Sequence, residues 1–157
     1  MEKEVITYSE KQTKLLGKAI AKFLKPGDLV LLYGDLGTGK TVLVKGICEG
    51  LEVNPEIYIT SPTFSIVNIY EGKYTIFHID LYRLESEDIY ELGIWEYLSE
   101  GIVIIEWAER LEEIPTEDFL EIRIEYINNY KRLFKIFGYG QLQELLKGLD
   151  MDDLGKD

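Results

Sequence analysis

Two spacings of apolar residues divide the first third of the chain into elements. Residues 10–24 place apolar side chains at helical spacing, and Ser9 with Gln12 supplies a capping box in front of them. Leu29–Tyr33 is a continuous apolar run, which is typical of a buried strand. Helical spacing returns over residues 40–51. The pattern predicts an amphipathic helix followed by a strand–loop–helix unit.

The remaining two thirds alternate between strand and helix patterns. Residues 65–70 and 73–80 alternate on either side of Glu71-Gly72, and this predicts a β-hairpin. The other predicted elements are a strand at 4–7, helical residues from 86 to 98, an apolar strand at 102–105, strands at 119–126 and 132–137 and a short helix at 141–149. This order predicts a three-layer α/β fold, with helices on the faces of a mixed, mainly parallel central sheet and with β-hairpin insertions.

Length and composition favour one globular domain. The chain has 157 residues, of which 46% are hydrophobic, and this is enough for a normal core. We expect a single domain over residues 1–149 and a frayed acidic tail over residues 150–157. No apolar run approaches the roughly 20 residues of a membrane span, and the first residues lack the layout of a signal peptide. Cys48 is the only cysteine, so no internal disulfide is possible. Together these three features lead us to expect a cytoplasmic protein that does not associate with a membrane.

Charge is distributed unevenly. The chain carries a net charge of −12, yet residues 1–50 hold eight lysines and six acidic residues. The remaining residues hold nine basic and 23 acidic groups. A protein that binds nucleic acid unaided normally presents a basic face. If an RNA is involved, we expect a partner to hold most of it.

Residues 34–41 match the phosphate-binding pattern G-x-x-x-x-G-K-[ST] at every fixed position, which makes the expected fold P-loop NTPase-like. Backbone N–H groups of such a loop and the positive end of the following helix bind polyphosphates. We expect Lys40 on the β- and γ-phosphates and the Thr41 hydroxyl on Mg²⁺. The candidate nucleotide contacts of the loop are Gly34, Asp35, Leu36, Gly37, Thr38, Gly39, Lys40 and Thr41. A glycine-rich turn without a ligand is the alternative, which the flanking strand and helix disfavour.

Two acidic residues stand at the ends of predicted strands, where ligands of α/β sheets collect. Glu106 follows the strand at 102–105, and Asp80 ends the strand at 73–80. A P-loop protein needs such an acid to hold or orient Mg²⁺. We assign Glu106 to Mg²⁺ and assign Asp80 to the attacking water, which it would orient or deprotonate. The reverse assignment is physically possible.

Three further features extend the candidate site. The loop Thr60–Phe64 carries hydroxyl groups, among them that of the catalytic candidate Thr63, and loops of this kind order around a γ-phosphate and Mg²⁺ in nucleotide switches. A proline-containing turn without a function is the alternative. Trp107 either stacks near the nucleotide or fills the core. His78 is the only histidine, so we expect it to be packed or hydrogen-bonded near Asp80 rather than to form a histidine-rich metal site.

The identity of the nucleotide follows from a missing motif. Guanine specificity usually comes with an [NT]-K-x-D segment, and the nearest candidate, Asn128-Asn129-Tyr130-Lys131, does not match. We therefore expect ATP rather than GTP.

Taken together, four segments resemble the TsaE (YjeE) family of bacterial ATPases, in an order and spacing that match from about residue 5 to residue 137. They are residues 34–41, Ser61-Pro62-Thr63-Phe64, His78-Ile79-Asp80-Leu81-Tyr82-Arg83-Leu84 and Glu106-Trp107. The phosphate loop is shared by a vast superfamily, whereas its combination with the second and third segments is highly specific.

The resemblance implies an ATPase, with ATP/ADP and Mg²⁺ as ligands, that is required for threonylcarbamoyladenosine beside the anticodon of tRNAs reading codons that begin with adenine. In that family the ATPase docks on the TsaB–TsaD heterodimer, where TsaD carries the transferase chemistry, and ATP hydrolysis resets the complex. Contacts to tRNA are then indirect, through the partners. The roles of the family's residues are carried over by position. Lys40 and Thr41 would then bind phosphate and Mg²⁺, and Glu106 would contribute to Mg²⁺ binding. Asp80 would be needed for hydrolysis, and the segment around Ser9 would lie near the adenine.

Two positions depart from the pattern of many family members. Thr38 stands in place of an alanine, and this change leaves the backbone cradle intact. Val42 stands in place of a second hydroxyl residue, so that only its backbone N–H is expected to reach the α-phosphate. The missing contact weakens nucleotide affinity by about 1 kcal/mol, the usual net value of one hydrogen bond.

Two other functions are compatible with a phosphate loop. One is a small-molecule or nucleotide kinase, although the candidates for an arginine-rich lid are widely scattered at Arg83, Arg110, Arg123 and Arg132. The other is a binding module that uses ATP only to order its surface.

Overall fold

The computed structural model of the protein describes residues 2–35 and 39–149. Leu36, Gly37 and Thr38 of the predicted phosphate loop and the expected tail at 150–157 lie outside the described residues. The strands are β1 (Glu2–Thr7), β2 (Leu29–Tyr33), β3 (Val67–Glu71), β4 (Thr75–Asp80), β5 (Ile102–Glu106), β6 (Phe119–Tyr126) and β7 (Arg132–Gly138). The helices are α1 (Glu10–Ala21), α2 (Lys40–Gly50), α3 (Ser86–Leu92), α4 (Ile94–Leu98) and α5 (Gln143–Gly148), with 3₁₀ turns at Ala108–Arg110 and Gly140–Leu142.

The strands form one seven-stranded sheet with the order β1-β7-β6-β2-β5-β4-β3. β2 pairs in parallel with β5 and β6, and β4 pairs in parallel with β5. The pairs β1–β7, β6–β7 and β3–β4 are antiparallel, so five of the seven strands run in one direction. This confirms the predicted α/β fold with a mixed, mainly parallel sheet and two β-hairpins.

The apolar strand β2 lies at the centre of the sheet. Residues Leu29 to Leu32 are completely buried, as a strand with parallel neighbours and both faces covered requires. One face packs against α1, α2 and α5, and the other against α3 and α4. The first core contains Leu16, Ile20, Val30, Leu32, Leu43, Ile47, Ile104 and Leu145, and the second contains Leu29, Leu31, Phe77, Ile79, Ile94, Leu98 and Val103.

Glycines allow α1 and α2 to approach closely. A β-carbon on Gly17 would lie 2.6 Å from the carbonyl oxygen of Leu43 and 2.7 Å from the backbone nitrogen of Ile47. A β-carbon on Gly46 would collide with the backbone of Lys14. The close approach fixes α2 against α1, and therefore fixes the first turn of α2, where the predicted phosphate-binding residues stand.

Several element boundaries differ from the sequence prediction, and two of the differences have a clear local reason. β3 begins at Val67 rather than at residue 65, because Ile66 has a left-handed φ of 70° and its N–H donates to the carbonyl of Pro62. The helical region at 86–98 is two helices, since Gly93 has a φ of 67°. α1 ends at Ala21 rather than at residue 24. No helix among the described residues is long and apolar enough to cross a membrane.

Candidate functional site

A cleft of about 640 Å³ lies at the carboxyl ends of β2, β4 and β5. Ligands of open α/β sheets bind at this edge. Predicted site residues that line the cleft are Ser9, Gly39, Lys40, Thr41, Val42, Thr63, Asp80, Glu106 and Trp107. Residues that are distant in sequence therefore share one cleft, although their contacts to a ligand remain predictions.

The described part of the phosphate loop joins the end of β2 to the start of α2. Gly39 caps α2 with a φ of 109°, a left-handed conformation that favours glycine. Lys40 is 5% exposed, and its Nζ donates to the carbonyl oxygen of Gly34 at 2.7 Å. The same Nζ lies 4.6 Å from the ring centroid of Trp107, within range of a cation–π interaction. The lysine is therefore held at the N-terminal end of α2, where anions bind.

The two acidic residues are neighbours across β4 and β5. Asp80 is the register partner of Glu106 in this parallel pair, and each residue is 3% exposed. The two side chains lie on the face of the sheet that packs against α1 and α2. Each stands an even number of residues after a member of the first core on its own strand, Ile76 for Asp80 and Ile104 for Glu106, and such residues share a face. Two carboxylates thus line the cleft that Lys40 also lines.

Asp80 is held by the hydroxyl loop. Its Oδ1 accepts a hydrogen bond from the backbone N–H of Tyr82 at 2.8 Å. Its Oδ2 lies 3.2 Å from the donating hydroxyl of Thr63 and 3.4 Å from that of Ser61. The loop and the strand-end acid, which the sequence suggested separately, are therefore one hydrogen-bonded unit.

His78 is hydrogen-bonded to Glu106. Its Nε2 lies 2.6 Å from Glu106 Oε2, and His78 is completely buried. The sequence predicted a packed or hydrogen-bonded histidine near Asp80, and the structure confirms this, with Glu106 of the adjacent strand as the hydrogen-bond partner. His78 is the register partner of Ile104, two residues before Glu106, so the contact is diagonal across the strands.

The oxygen atoms of the cleft suit Mg²⁺ bound together with phosphates. Within residues 2–35 and 39–149, no three His, Cys, Asp or Glu side chains form a group that could hold a metal ion. Mg²⁺ usually keeps several waters and takes one or two protein oxygens plus substrate phosphates. Thr41 and Glu106 both line the cleft and offer hard oxygen atoms, so the residues present fit such an ion.

The Ser9 cap predicted from sequence is present beside the cleft. Ser9 Oγ accepts from the backbone N–H of Gln12 at 3.1 Å. Gln12 Oε1 in turn accepts from the backbone N–H of Tyr8 at 2.8 Å, one residue before the cap. Ser9 is exposed to the cleft, which is compatible with the contact near adenine that the resemblance implies.

Sequence reasoning did not assign the β6–β7 turn or the first residue of β7 to the site. Asn129, Tyr130 and Arg132 line the cleft together with Tyr8, and Lys131 Nζ lies 5.1 Å from the Tyr8 ring centroid. The strands on either side of the turn were predicted, but the proximity of the turn to α1 follows from the pairing of β1 with β7. Strand order was the missing signal, since no local pattern specifies it.

Comparison with known proteins identifies the family. The family described as "Threonylcarbamoyl adenosine biosynthesis protein TsaE" matches residues 7–134. The tRNA threonylcarbamoyladenosine biosynthesis protein TsaE of Rickettsia conorii is 44% identical over 130 residues, which cover 82% of this chain and 74% of the relative. The protein of that name from Bacillus subtilis is 37% identical over 142 residues, covering 89% of this chain and 88% of the relative. The crystal structure of Bacillus subtilis YdiB has a TM-score of 0.79 and 33% sequence identity, and the match covers 98% of this chain and 97% of that chain. The chain therefore belongs to the TsaE family of tRNA threonylcarbamoyladenosine biosynthesis.

Proposed function

We propose that the protein is an ATPase that binds and hydrolyses ATP in order to regulate or reset the TsaB–TsaD transferase complex during threonylcarbamoyladenosine formation. The observation that supports this most is the convergence of Lys40, Thr41, Asp80 and Glu106 on one cleft. A phosphate-binding lysine, a hydroxyl for Mg²⁺ and two strand-end carboxylates are the parts that phosphoryl-transfer sites use.

ATP binding is assigned to the start of α2. The positive end of this 11-residue helix and the Lys40 ammonium attract the triphosphate. Lys40 would exchange its hydrogen bond with the Gly34 carbonyl for the β- and γ-phosphates. Val42 would contribute its backbone N–H to the α-phosphate, and Trp107 and Ser9 would lie along the nucleotide. The missing guanine motif favours ATP.

Hydrolysis is assigned to Asp80 with Thr63. Thr41 and Glu106 would hold Mg²⁺, which when bound neutralises charge on the phosphates. Asp80 would orient the attacking water or accept its proton. The hydroxyl of Thr63 fixes the orientation of Asp80 Oδ2 and would couple the loop to the γ-phosphate.

The distribution of acidic residues supports the proposal that a partner protein holds the tRNA. Residues 84–118 contain 12 acidic residues and a single basic one, Arg110, so this segment carries almost all of the net charge of −12. Such a surface repels the phosphate backbone of a nucleic acid and attracts a positively charged protein surface. TsaB–TsaD, rather than this chain, would therefore contact the tRNA.

Phosphate release by the purified protein tests this function, with and without TsaB–TsaD. We expect slow release alone, stimulation by the complex and loss of both in Asp80→Ala. Glu91→Ala, which removes an exposed carboxylate of α3, is the matched control and should behave as wild type. A phosphorylated acceptor in place of free phosphate would identify a kinase instead. Full modification of tRNA by Asp80→Ala would identify a module that needs binding alone.

A further inference from the structure

The hydrogen bond between His78 and Glu106 is buried beside the cleft, and the proposed function gives His78 no role. The distance of 2.6 Å between His78 Nε2 and Glu106 Oε2 is shorter than the roughly 2.7–3.2 Å of most N–H···O hydrogen bonds. His78 is 0% and Glu106 is 3% exposed, so water does not compete for the contact. A short hydrogen bond in such an enclosed place restricts the orientation of both side chains.

The other ring nitrogen identifies the donor. His78 Nδ1 is buried and is the one such side-chain nitrogen or oxygen, among the residues that the structure describes, with no hydrogen-bond partner. A proton on Nδ1 would be a buried unsatisfied donor, which is costly. The arrangement that avoids this cost has the ring proton on Nε2, which donates to Glu106 Oε2.

The second oxygen of Glu106, Oε1, is the candidate ligand for Mg²⁺. No residue within the described ranges donates to Oε1, and Glu106 lines the cleft. The contact with His78 therefore occupies one carboxylate oxygen and fixes the plane of the group. β4 contributes both this histidine and, two residues later, Asp80, so one strand would orient the Mg²⁺ ligand and provide the residue for water.

We propose that His78 is a positioning residue, which holds the Glu106 carboxylate in the orientation that Mg²⁺–nucleotide binding requires. The inference rests on the proposed function, because it takes Glu106 as the residue that holds Mg²⁺. Residues that hydrogen-bond to a metal ligand typically contribute about 10- to 100-fold to metal affinity.

Calorimetric binding of a non-hydrolysable ATP analogue, in EDTA and in Mg²⁺, tests this role without turnover. His78→Leu removes the donor at similar volume, and we expect its affinity to match wild type in EDTA and to be about 10- to 100-fold weaker in Mg²⁺. His78→Gln places an amide donor near the position of Nε2 and should recover most of the Mg²⁺-dependent gain. An equal loss in both conditions would indicate a general packing role and overturn the proposal.

The variant Glu106→Gln distinguishes a failure of the Mg²⁺ assignment of Glu106 from a failure of the positioning role of His78. If Glu106→Gln keeps the full Mg²⁺-dependent gain, the Mg²⁺ assignment in the proposed function fails. If Glu106→Gln loses the gain while His78→Leu keeps it, only the positioning role fails. Adding His78→Leu to Glu106→Gln should weaken Mg²⁺-dependent binding no further, because His78 acts through Glu106.

A shorter polar variant covers the case in which His78→Leu does not fold. The amide of His78→Asn does not reach Glu106, so this variant should lack the Mg²⁺-dependent gain that His78→Gln recovers. Equal gains in these two variants would overturn the proposal, and thermal unfolding checks that both are folded.

Discussion

At the scale of single residues, the contact between Thr63 and Asp80 is the most direct link between the hydroxyl loop and the proposed chemistry. Thr63→Val keeps the shape of the side chain and removes the hydroxyl that donates to Asp80 Oδ2. Hydrogen bonds to charged groups contribute about 1.5–3 kcal/mol, so we expect kcat for ATP hydrolysis to fall roughly 10- to 100-fold with little change in KM.

Ser65→Ala is the control for the Thr63 variant. Ser65 belongs to the same loop region, and its hydroxyl contacts Asn68 rather than Asp80. Its steady-state rate should equal that of wild type. A Thr63→Val enzyme with an unchanged kcat would contradict the coupling of the loop to Asp80.

Burial raises the pKa of the Asp28 carboxyl above its ordinary value of 3.8, against the opposing hydrogen bond from the backbone N–H of Lys25. A raised pKa in the folded state stabilises the fold below the unfolded pKa, and this contribution is lost as pH rises through the folded pKa. The variant Asp28→Asn has no carboxyl group to ionise at this position, so it does not lose this stability as pH rises. We therefore expect the stability of Asp28→Asn relative to wild type to increase from about pH 3.5 to pH 7, since the unfolded pKa of Asp is near 3.9.

Urea unfolding at several pH values measures this difference, because the midpoint reports stability when the slope is unchanged. A relative stability of Asp28→Asn that stays constant with pH would contradict the raised pKa of Asp28.

Residue identities in the site were predictable where a motif or a strand end marked them. Lys40 and Thr41 follow from the phosphate-loop pattern, and Asp80 and Glu106 follow from their places after apolar runs. The contact between His78 and Glu106 was not predictable, because it depends on which strands are neighbours. The same limit applies to Tyr130, which joins the cleft through the pairing of β1 with β7.

At the scale of elements, the close packing of α1 on α2 determines where the proposed phosphate-binding turn lies. Gly46→Ala places a β-carbon against the backbone of Lys14, which neither helix can avoid without moving. In an open helix the same change would stabilise by about 1 kcal/mol. Here overpacking dominates, and we expect a loss of about 1–3 kcal/mol in the free energy of unfolding.

Denaturant unfolding of Gly46→Ala measures this loss, with Lys11→Ala on the exposed face of α1 as the control. The control should unfold within about 0.5 kcal/mol of wild type, as surface substitutions usually do. An equal or higher midpoint for Gly46→Ala would show that the helices are not in close contact.

Local patterns predicted most elements because each carries its own signal. The apolar run of β2, the alternation of β6 and the cap at Ser9 are all local. Two of the differences arose where backbone conformation overrides side-chain pattern, at Ile66 and Gly93. Sheet order lies beyond such reasoning, since pairing joins residues as distant as β1 and β7.

At the scale of the whole molecule, the concentration of negative charge argues against tRNA binding by this chain alone. Non-specific binding to nucleic acid is electrostatic, with a Kd of about 10⁻⁴–10⁻⁶ M for proteins that bind it. We expect no tRNA shift by the isolated protein at about 10 µM and physiological salt. Electrophoresis with TsaB–TsaD present is the positive control, and saturable binding by the chain alone would contradict the expectation.

For the whole molecule, we propose that ATP hydrolysis in this cleft supports threonylcarbamoyladenosine formation. The most direct measurement is the content of this nucleoside in bulk tRNA, by mass spectrometry, from cells depleted of the protein and supplied with wild type, Asp80→Ala or Glu91→Ala. We expect wild type and Glu91→Ala to restore the nucleoside and Asp80→Ala to leave it depleted. Full restoration by Asp80→Ala, or an unchanged level after depletion alone, would contradict the claim.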